Sequence, residues 1–209
     1  MKFRLAATAL SSTLAATLAL AAAPALAAAT VGQPAPAFSA VDTSGKTVSL
    51  ADFKGKHVVL EWVNPGCPYV RRHYDSANMQ GTQKDAAARG AVWLTINSTA
   101  EDAGDYLQPA ALQQWMSKQQ AAATHTLMDA DGKVGRAYGA RTTPHMYVIN
   151  PAGTLVYAGA IDDQPRASLA DTAKATNHVK AALAESTAGK PVTVATTRAY
   201  GCSIKYSSM

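Results

Sequence analysis

The feature that most constrains this chain is an apolar segment that ends abruptly at a turn. Val58, Val59, Leu60 and Trp62 read as a strand covered on both faces, and Pro65-Gly66 stop it. Cys67 follows at once. Pro68 then opens a stretch of helical character that runs to Arg89, with Gly90 as its stop signal. Proline suits a first helical turn because its missing N–H has no partner to lose there. A thiol in this position sits at the positive end of a helix, where backbone N–H groups favour the thiolate. Two readings of Cys67 stand open: a reactive sulfur, or one half of a structural disulfide.

The rest of the chain alternates strand and helix. Phe38–Leu50 alternates around Thr43-Ser44-Gly45-Lys46 and reads as a hairpin; Ala51–Lys56 reads as a short turn or helical piece. Ala91–Asn97 is a second buried strand, followed by a polar loop from Ser98 to Pro109 and a helix over Ala110–Gln120. Thr126–Met128 is a short strand before the turn Asp129-Ala130-Asp131-Gly132, and Val134–Tyr138 has room for a helical turn or two. Met146–Ile149 and Thr154–Ala160 form a hairpin across Asn150-Pro151-Ala152-Gly153, and Ser168–Thr187 reads as a closing helix. This order argues for an α/β fold with a mixed central sheet. The residues after Gly189-Lys190-Pro191 form a tail without strong periodicity.

Length and charge narrow the context. Lys2 and Arg4 precede an uncharged run from Leu5 to Ala23, and Ala25-Leu26-Ala27 supplies a small-residue cleavage site. Residues 1–27 are therefore expected to be a secretory signal peptide, with a retained membrane anchor as the alternative. The expected organisation is the leader 1–27, one domain over 28–189, and the tail 190–209 carrying Cys202. The remaining 182 of 209 residues suffice for a sizeable core. They hold 17 basic against 14 acidic residues, too small a surplus to argue for a nucleic-acid partner. No later segment is long and apolar enough to span a bilayer, so no stable membrane insertion is expected after cleavage. Export to a periplasmic or secreted location permits a disulfide, and two cysteines allow one intrachain pairing, Cys67–Cys202.

Several residues are candidates for chemistry. Asn64, three positions before the thiol, can cap the helix or hydrogen-bond the sulfur. Arg71 and Arg72 follow one turn later, with side chains free to point outward. Thr143-Pro144, directly before a buried strand, is a candidate cis bond that would present the Thr143 backbone as an open hydrogen-bonding edge. Cys202, in Tyr200-Gly201-Cys202, lies on a segment expected to be mobile or loosely docked. It reads either as a resolving thiol, which would attack a sulfenic acid on Cys67, or as a staple for the tail. Cys67, His145 and Met146 were they to converge would suit a soft ion such as Cu(I), but no metal-ligand spacing accompanies them and no metal is assigned. His73 reads as a surface histidine, His57, His125 and His178 as incidental, and Asp162-Asp163 as a turn or cap.

Together these residues resemble the thioredoxin superfamily, and within it the peroxiredoxin-like (redoxin) branch. Val31-Gly32-Gln33-Pro34-Ala35-Pro36-Ala37-Phe38 and Ser49–Lys56 look like the redoxin entry. Asn64-Pro65-Gly66-Cys67 is similar to the Thr-Pro-Gly-Cys of one peroxiredoxin class, with Asn64 in place of threonine. Cys67-Pro68-Tyr69-Val70 resembles the second half of Cys-x-x-Cys-Pro-Tyr-Val, with Asn64 where the first cysteine would stand. Thr143-Pro144 matches the family's cis proline. The resemblance implies a thioredoxin-like mixed sheet flanked by helices, with an N-terminal hairpin. It implies Cys67 as the peroxidatic-like position, Thr143 and Pro144 on the substrate face, and Arg141 as a candidate cation for the thiolate. The expected chemistry is thiol–disulfide exchange or thiol peroxidation, on a peroxide or a disulfide, renewed by an external dithiol reductant and without a bound cofactor. The alternative is a non-enzymatic binding module with a permanent Cys67–Cys202 staple or a copper-handling role.

Overall fold

A computed structural model describes residues 28–208; the expected signal peptide, 1–27, lies outside the described residues. The centre is a seven-stranded sheet. Its strands are β1 (Ser39–Asp42), β2 (Thr47–Ser49), β3 (Val58–Trp62), β4 (Val92–Asn97), β5 (His125–Met128), β7 (His145–Ile149) and β8 (Leu155–Gly159), in spatial order β2-β1-β5-β4-β3-β7-β8. β3 pairs parallel with β4 and antiparallel with β7, so the sheet is mixed as expected. All five residues of β3 are buried. A strand with neighbours on both edges and cover on both faces has no solvent-facing polar side, hence its apolar run, interrupted at Glu61.

Alternation along β3 divides the interior. Val58, Leu60 and Trp62 face one core with Leu94, Ile96 and Tyr147. Val59 and Val63 face the other, with Val70, Trp93 and Met146, and that second core also contains Cys67. Glu61 points into the same core, fully buried. It is tolerated there because Tyr74, Gln83, Trp93 and Thr95 all donate to its carboxylate, at 2.8–3.2 Å. Burial nonetheless pushes the Glu61 carboxyl above its ordinary range.

The expected N-terminal hairpin is present. Asp42 closes its turn by accepting from Ser44 N–H, Ser44 Oγ and Lys46 N–H. Those bonds, Ser44's foremost, hold the Asp42 carboxyl down at about 2. His125 is not incidental: its Nδ1 lies 3.0 Å from the other Asp42 oxygen and ties β5 to the hairpin.

Two expected helices are each broken in two. Pro68–Arg89 resolves into α1 (Pro68–Asp75) and α2 (Asn78–Ala88), with Ala77 between them in the left-handed region at φ 58°. No glycine or proline marks that break. Tertiary bonds hold it: the Gln80 side chain donates to Tyr74 O and to Gln119 O, beyond the end of α3 (Pro109–Lys118). After α4 (Lys133–Tyr138) and the short strand β6 (Thr142–Thr143), the second break separates α5 (Leu169–Thr172) from α6 (His178–Thr187). Asn177 caps α6 by accepting from Lys180 N–H, a start signal inside the expected single helix.

The tail is firmly docked, which corrects the expectation of a loose segment. Ala195 and Thr197 bond the Ala158 backbone at the edge of β8. Further on, β9 (Cys202–Ser203) pairs antiparallel with β6, Thr143 opposite Cys202 and Thr142 opposite Ser203. Ile204 N–H donates to Arg141 O, Ala100 N–H to Lys205 O, and Tyr206 Oη to Ala140 O. Among the described residues no helix is long and apolar enough to cross a membrane.

Candidate active site

β3 delivers its C-terminal end to the turn 63–66, and the turn hands the chain to α1. Cys67 is the N-cap residue of α1, with extended backbone and no side-chain cap. It is 2% exposed, and its Sγ donates to the Thr143 carbonyl at 3.0 Å. The Thr143–Pro144 bond is cis, as the sequence suggested.

Asn64 takes neither role expected of it. Its Oδ1 accepts from Gly66 N–H at 2.7 Å, and its Nδ2 donates to Thr99 Oγ1 at 3.1 Å and Asp105 Oδ2 at 3.0 Å. It shapes the turn beneath the thiol instead of capping α1 or bonding the sulfur. Asp105 is also gripped from the tail by Lys205 Nζ at 2.8 Å. Burial opposes ionisation of Asp105, but Lys205 and Asn64 together hold its carboxyl below the usual range. One carboxylate thus links the turn under Cys67 to the tail just beyond β9.

Cys202 lies beside Cys67. Both thiols are free. Burial first, and then hydrogen bonding and charge interaction with the Cys67 sulfur, push the Cys202 thiol up to about 12; Tyr69 N–H, in the first turn of α1, acts on it in the opposite sense. Pro68 has no N–H, so Tyr69 supplies the first free donor of that helix end after the cap. Both sulfurs therefore gather at one helix N-terminus, against the Thr143 edge.

The expected cation is not found there. Arg141 is exposed, and its guanidinium makes no hydrogen bond to Cys67 among the described residues. Its charge acts on His145, whose imidazole is lowered to about 4 mainly by burial and then by Arg141. Arg71 Nε turns back to Pro65 O at 2.7 Å. Arg72, expected to point outward, reaches Pro165 O and Tyr200 Oη. The Cu(I) set does not assemble either. His145 stacks on Tyr147, with ring centroids 4.6 Å apart, whereas Met146 faces the opposite core with Cys67.

A buried polar cluster beside the thiols was missed in the sequence. Tyr200 Oη donates to Asp162 Oδ1 and accepts from Arg72 Nη2 at 3.0 Å; His73 Nε2 lies 3.1 Å away. His73 is fully buried, not on the surface. Its Nδ1 lies 3.0 Å from Asn78 Nδ2, and Arg72 Nη2 lies 3.3 Å from its Nε2. Burial, reinforced by the Arg72 charge, lowers His73 to about 3 and keeps it neutral. Asp162 was read as a turn residue and does accept from Gln164 N–H, but it also anchors Tyr200. Nothing in the spacing of residues 72, 73, 162 and 200 marks them as neighbours; the one available signal was an aromatic residue two places before Cys202.

Comparison with known proteins agrees with this architecture. The chain is 26% identical over 132 residues to the thiol-disulfide oxidoreductase ResA of Bacillus subtilis (strain 168), covering 60% of this chain. It spans 64% of that relative's length. A crystal structure of a hypothetical protein from Sinorhizobium meliloti 1021 superposes with a TM-score of 0.76 at 25% identity, covering 88% of this chain and 98% of the other. An uncharacterized conserved protein from Geobacillus kaustophilus shares the fold, with a TM-score of 0.73 at 24% identity over 86% of this chain and 94% of its own. The model of the AhpC/TSA family matches residues 31–158. With a thioredoxin-like mixed sheet, a thiol at the tip of its first helix and that match over most of the domain, the chain belongs to the AhpC/TSA family.

Proposed function

We propose that this protein is an exported thiol–disulfide oxidoreductase in which Cys67 is the nucleophile and Cys202 the resolving thiol. The observation that carries the reading is that Cys67 Sγ bonds the Thr143 carbonyl while the β6–β9 register sets Cys202 opposite that same residue, both thiols being free. The Cys67 thiolate attacks one sulfur of a disulfide substrate, forms a mixed disulfide and releases the other sulfur as a thiolate. The Cys202 thiol then loses its proton and attacks Cys67 Sγ. This expels the substrate's remaining sulfur, reduced, and leaves a Cys67–Cys202 bridge. An external dithiol returns both electrons and restores the pair.

Disulfide exchange is favoured over peroxide reduction by what surrounds the sulfur. Peroxide cleavage develops charge on a leaving oxygen and benefits from donors aimed at it. Here the hydrogen-bond partner of Cys67 Sγ is a carbonyl, and Arg71, Arg72 and Arg141 are engaged elsewhere or turned outward. Export rests on the leader pattern of residues 1–27.

The test is turnover of a small disulfide, with dithiol reductant supplied, by wild type, Cys67→Ser and Cys202→Ser. Cys67→Ser should be inactive. Cys202→Ser should accumulate a mixed disulfide on Cys67. Equal turnover by all three would refute the assignment and favour a structural staple.

A further inference from the structure

The Thr142–Thr143 segment offers one backbone edge beside Cys67, and the chain's own tail fills it. β9 lies antiparallel on that edge, so the edge accepts an extended polypeptide, and Cys202 is the residue it brings opposite Thr143. Strand addition of this kind takes its affinity from main-chain bonds and its selectivity from what flanks them. An external polypeptide and β9 cannot occupy the same edge together.

On the N-terminal side of β9, Tyr200 is the side chain that anchors the strand. Three buried or partly buried groups converge on its hydroxyl: the Asp162 carboxylate, the Arg72 guanidinium and the His73 imidazole. Its ring packs on Tyr69, with centroids 5.9 Å apart, and under Arg72 at 5.6 Å. Arg72 and His73 stand on α1, the helix whose tip holds Cys67. Asp162 lies just beyond β8, which meets the tail again at Ala158. The hydroxyl therefore ties the tail to the two elements that frame the thiol.

With Cys67 and Cys202 taken as the redox pair described above, we propose that Tyr200 is a positioning residue. It latches β9 as an internal substrate strand, aligning Cys202 with Cys67 and closing the Thr143 edge to extended polypeptides. Latched, Cys67 exchanges with Cys202 and with small disulfides. Unlatched, the edge is open to an extended peptide carrying a disulfide.

The experiment uses Tyr200→Phe, which keeps the ring and removes the hydroxyl. In a Cys202→Ser background, Cys67 is offered two probes: 2,2′-dithiodipyridine, and an extended peptide whose single cysteine carries a 2-thiopyridyl disulfide. In each case Cys67 forms a disulfide and pyridine-2-thiol is released and read by absorbance. Losing hydrogen bonds to two charged partners should raise the peptide rate about tenfold while the small-probe rate changes less than about threefold. In the protein with both cysteines, Tyr200→Phe should shift the exchange of the dithiol with oxidised glutathione, which yields the Cys67–Cys202 bridge and two reduced glutathiones, about tenfold toward the dithiol.

Amide exchange should quicken at Cys202 and Ile204 but not in β3 and β4, separating unlatching from unfolding. Should Tyr200→Phe loosen the core, Gly201→Ala, which acts at the edge itself, should shift the ratio of peptide to small-probe rates in the same direction, by about tenfold or more. An unchanged ratio in a folded variant would overturn the latch. Failure of the wild-type protein to form any bridge would overturn the redox pairing instead, and the two failures are read from different reactions.

Discussion

Replacing Gly201 with alanine tests whether the tail's docking, and not its mere presence, makes the thiol pair work. Gly201 has φ 145°, a conformation that residues with a Cβ rarely adopt. A Cβ built there would run into the Thr143 carbonyl oxygen, the same atom that accepts from Cys67 Sγ. The backbone conformation alone costs about 1–3 kcal/mol for a non-glycine residue. Relief of the clash requires opening the β6–β9 pairing, and with it the Ile204 N–H to Arg141 O bond of 3.0 Å; one or two such bonds add about 1 kcal/mol. A total of about 2–4 kcal/mol corresponds to roughly a 30- to 700-fold loss in the docked population. The assay is the fraction of Cys67–Cys202 bridge across glutathione redox buffers, read by mass after acid quenching. Gly201→Ala should need a correspondingly more oxidising buffer to reach half bridging. Gly189→Ala is the control: it also has positive φ, but open space lies where its Cβ would sit. A Gly201→Ala midpoint indistinguishable from wild type would refute the reasoning.

Three further outcomes follow from the same structure. Glu61→Leu leaves the Tyr74, Gln83, Trp93 and Thr95 donors without their acceptor and should cost about 3–5 kcal/mol in urea unfolding. Glu61→Gln can keep an oxygen for three of them while the Tyr74 hydroxyl turns to Met116 Sδ at 3.9 Å, and should cost under about 1.5 kcal/mol at pH 7. Because burial raises the folded Glu61 pKa, the Glu61 contribution to stability should be fully present below the unfolded value near 4.5 and be lost as pH rises through the folded value; Glu61→Gln should lack that component of the pH dependence. His73 has the opposite sign: depressed to about 3 from 6.5, it leaves stability intact above pH 6.5 and removes about 1.4 kcal/mol per pH unit as pH falls between those values, a slope that His73→Asn should lose in unfolding titrations from pH 4 to 7. Lys205→Ala removes an ion pair whose lysine is 55% exposed, so bridge formation and stability should each change by less than about 1 kcal/mol.

The sheet was legible because its central strands are buried on both faces and are therefore mostly apolar. Val58–Trp62 and Val92–Asn97 carry that bias in their composition alone. Cys67 was legible for a similar reason: a Pro-Gly stop, a thiol and a proline spell out strand, turn and helix start locally. What was not legible depends on contacts between distant segments. Ala77 breaks a helix because of partners 39 residues apart from Gln80, with no breaker of its own. Asn64 was read against its nearest neighbours, the helix and the sulfur, whereas its amide is spent on Thr99 and Asp105. The tail lacked periodicity because its short strand segments are laid along existing edges, so neither a helical nor an alternating pattern is needed. Tyr200 gained its partners only through that docking, which is why His73 and Arg72 looked like surface residues.

The most direct test of the account is to reduce the protein, remove the reductant, add one equivalent of oxidised glutathione, and map its thiols by mass. The account predicts rapid loss of both free thiols, release of two reduced glutathiones, and a single Cys67–Cys202 link within one chain. Two thiols that stay free, or a stable glutathione adduct on Cys67 with Cys202 still reduced, would contradict it.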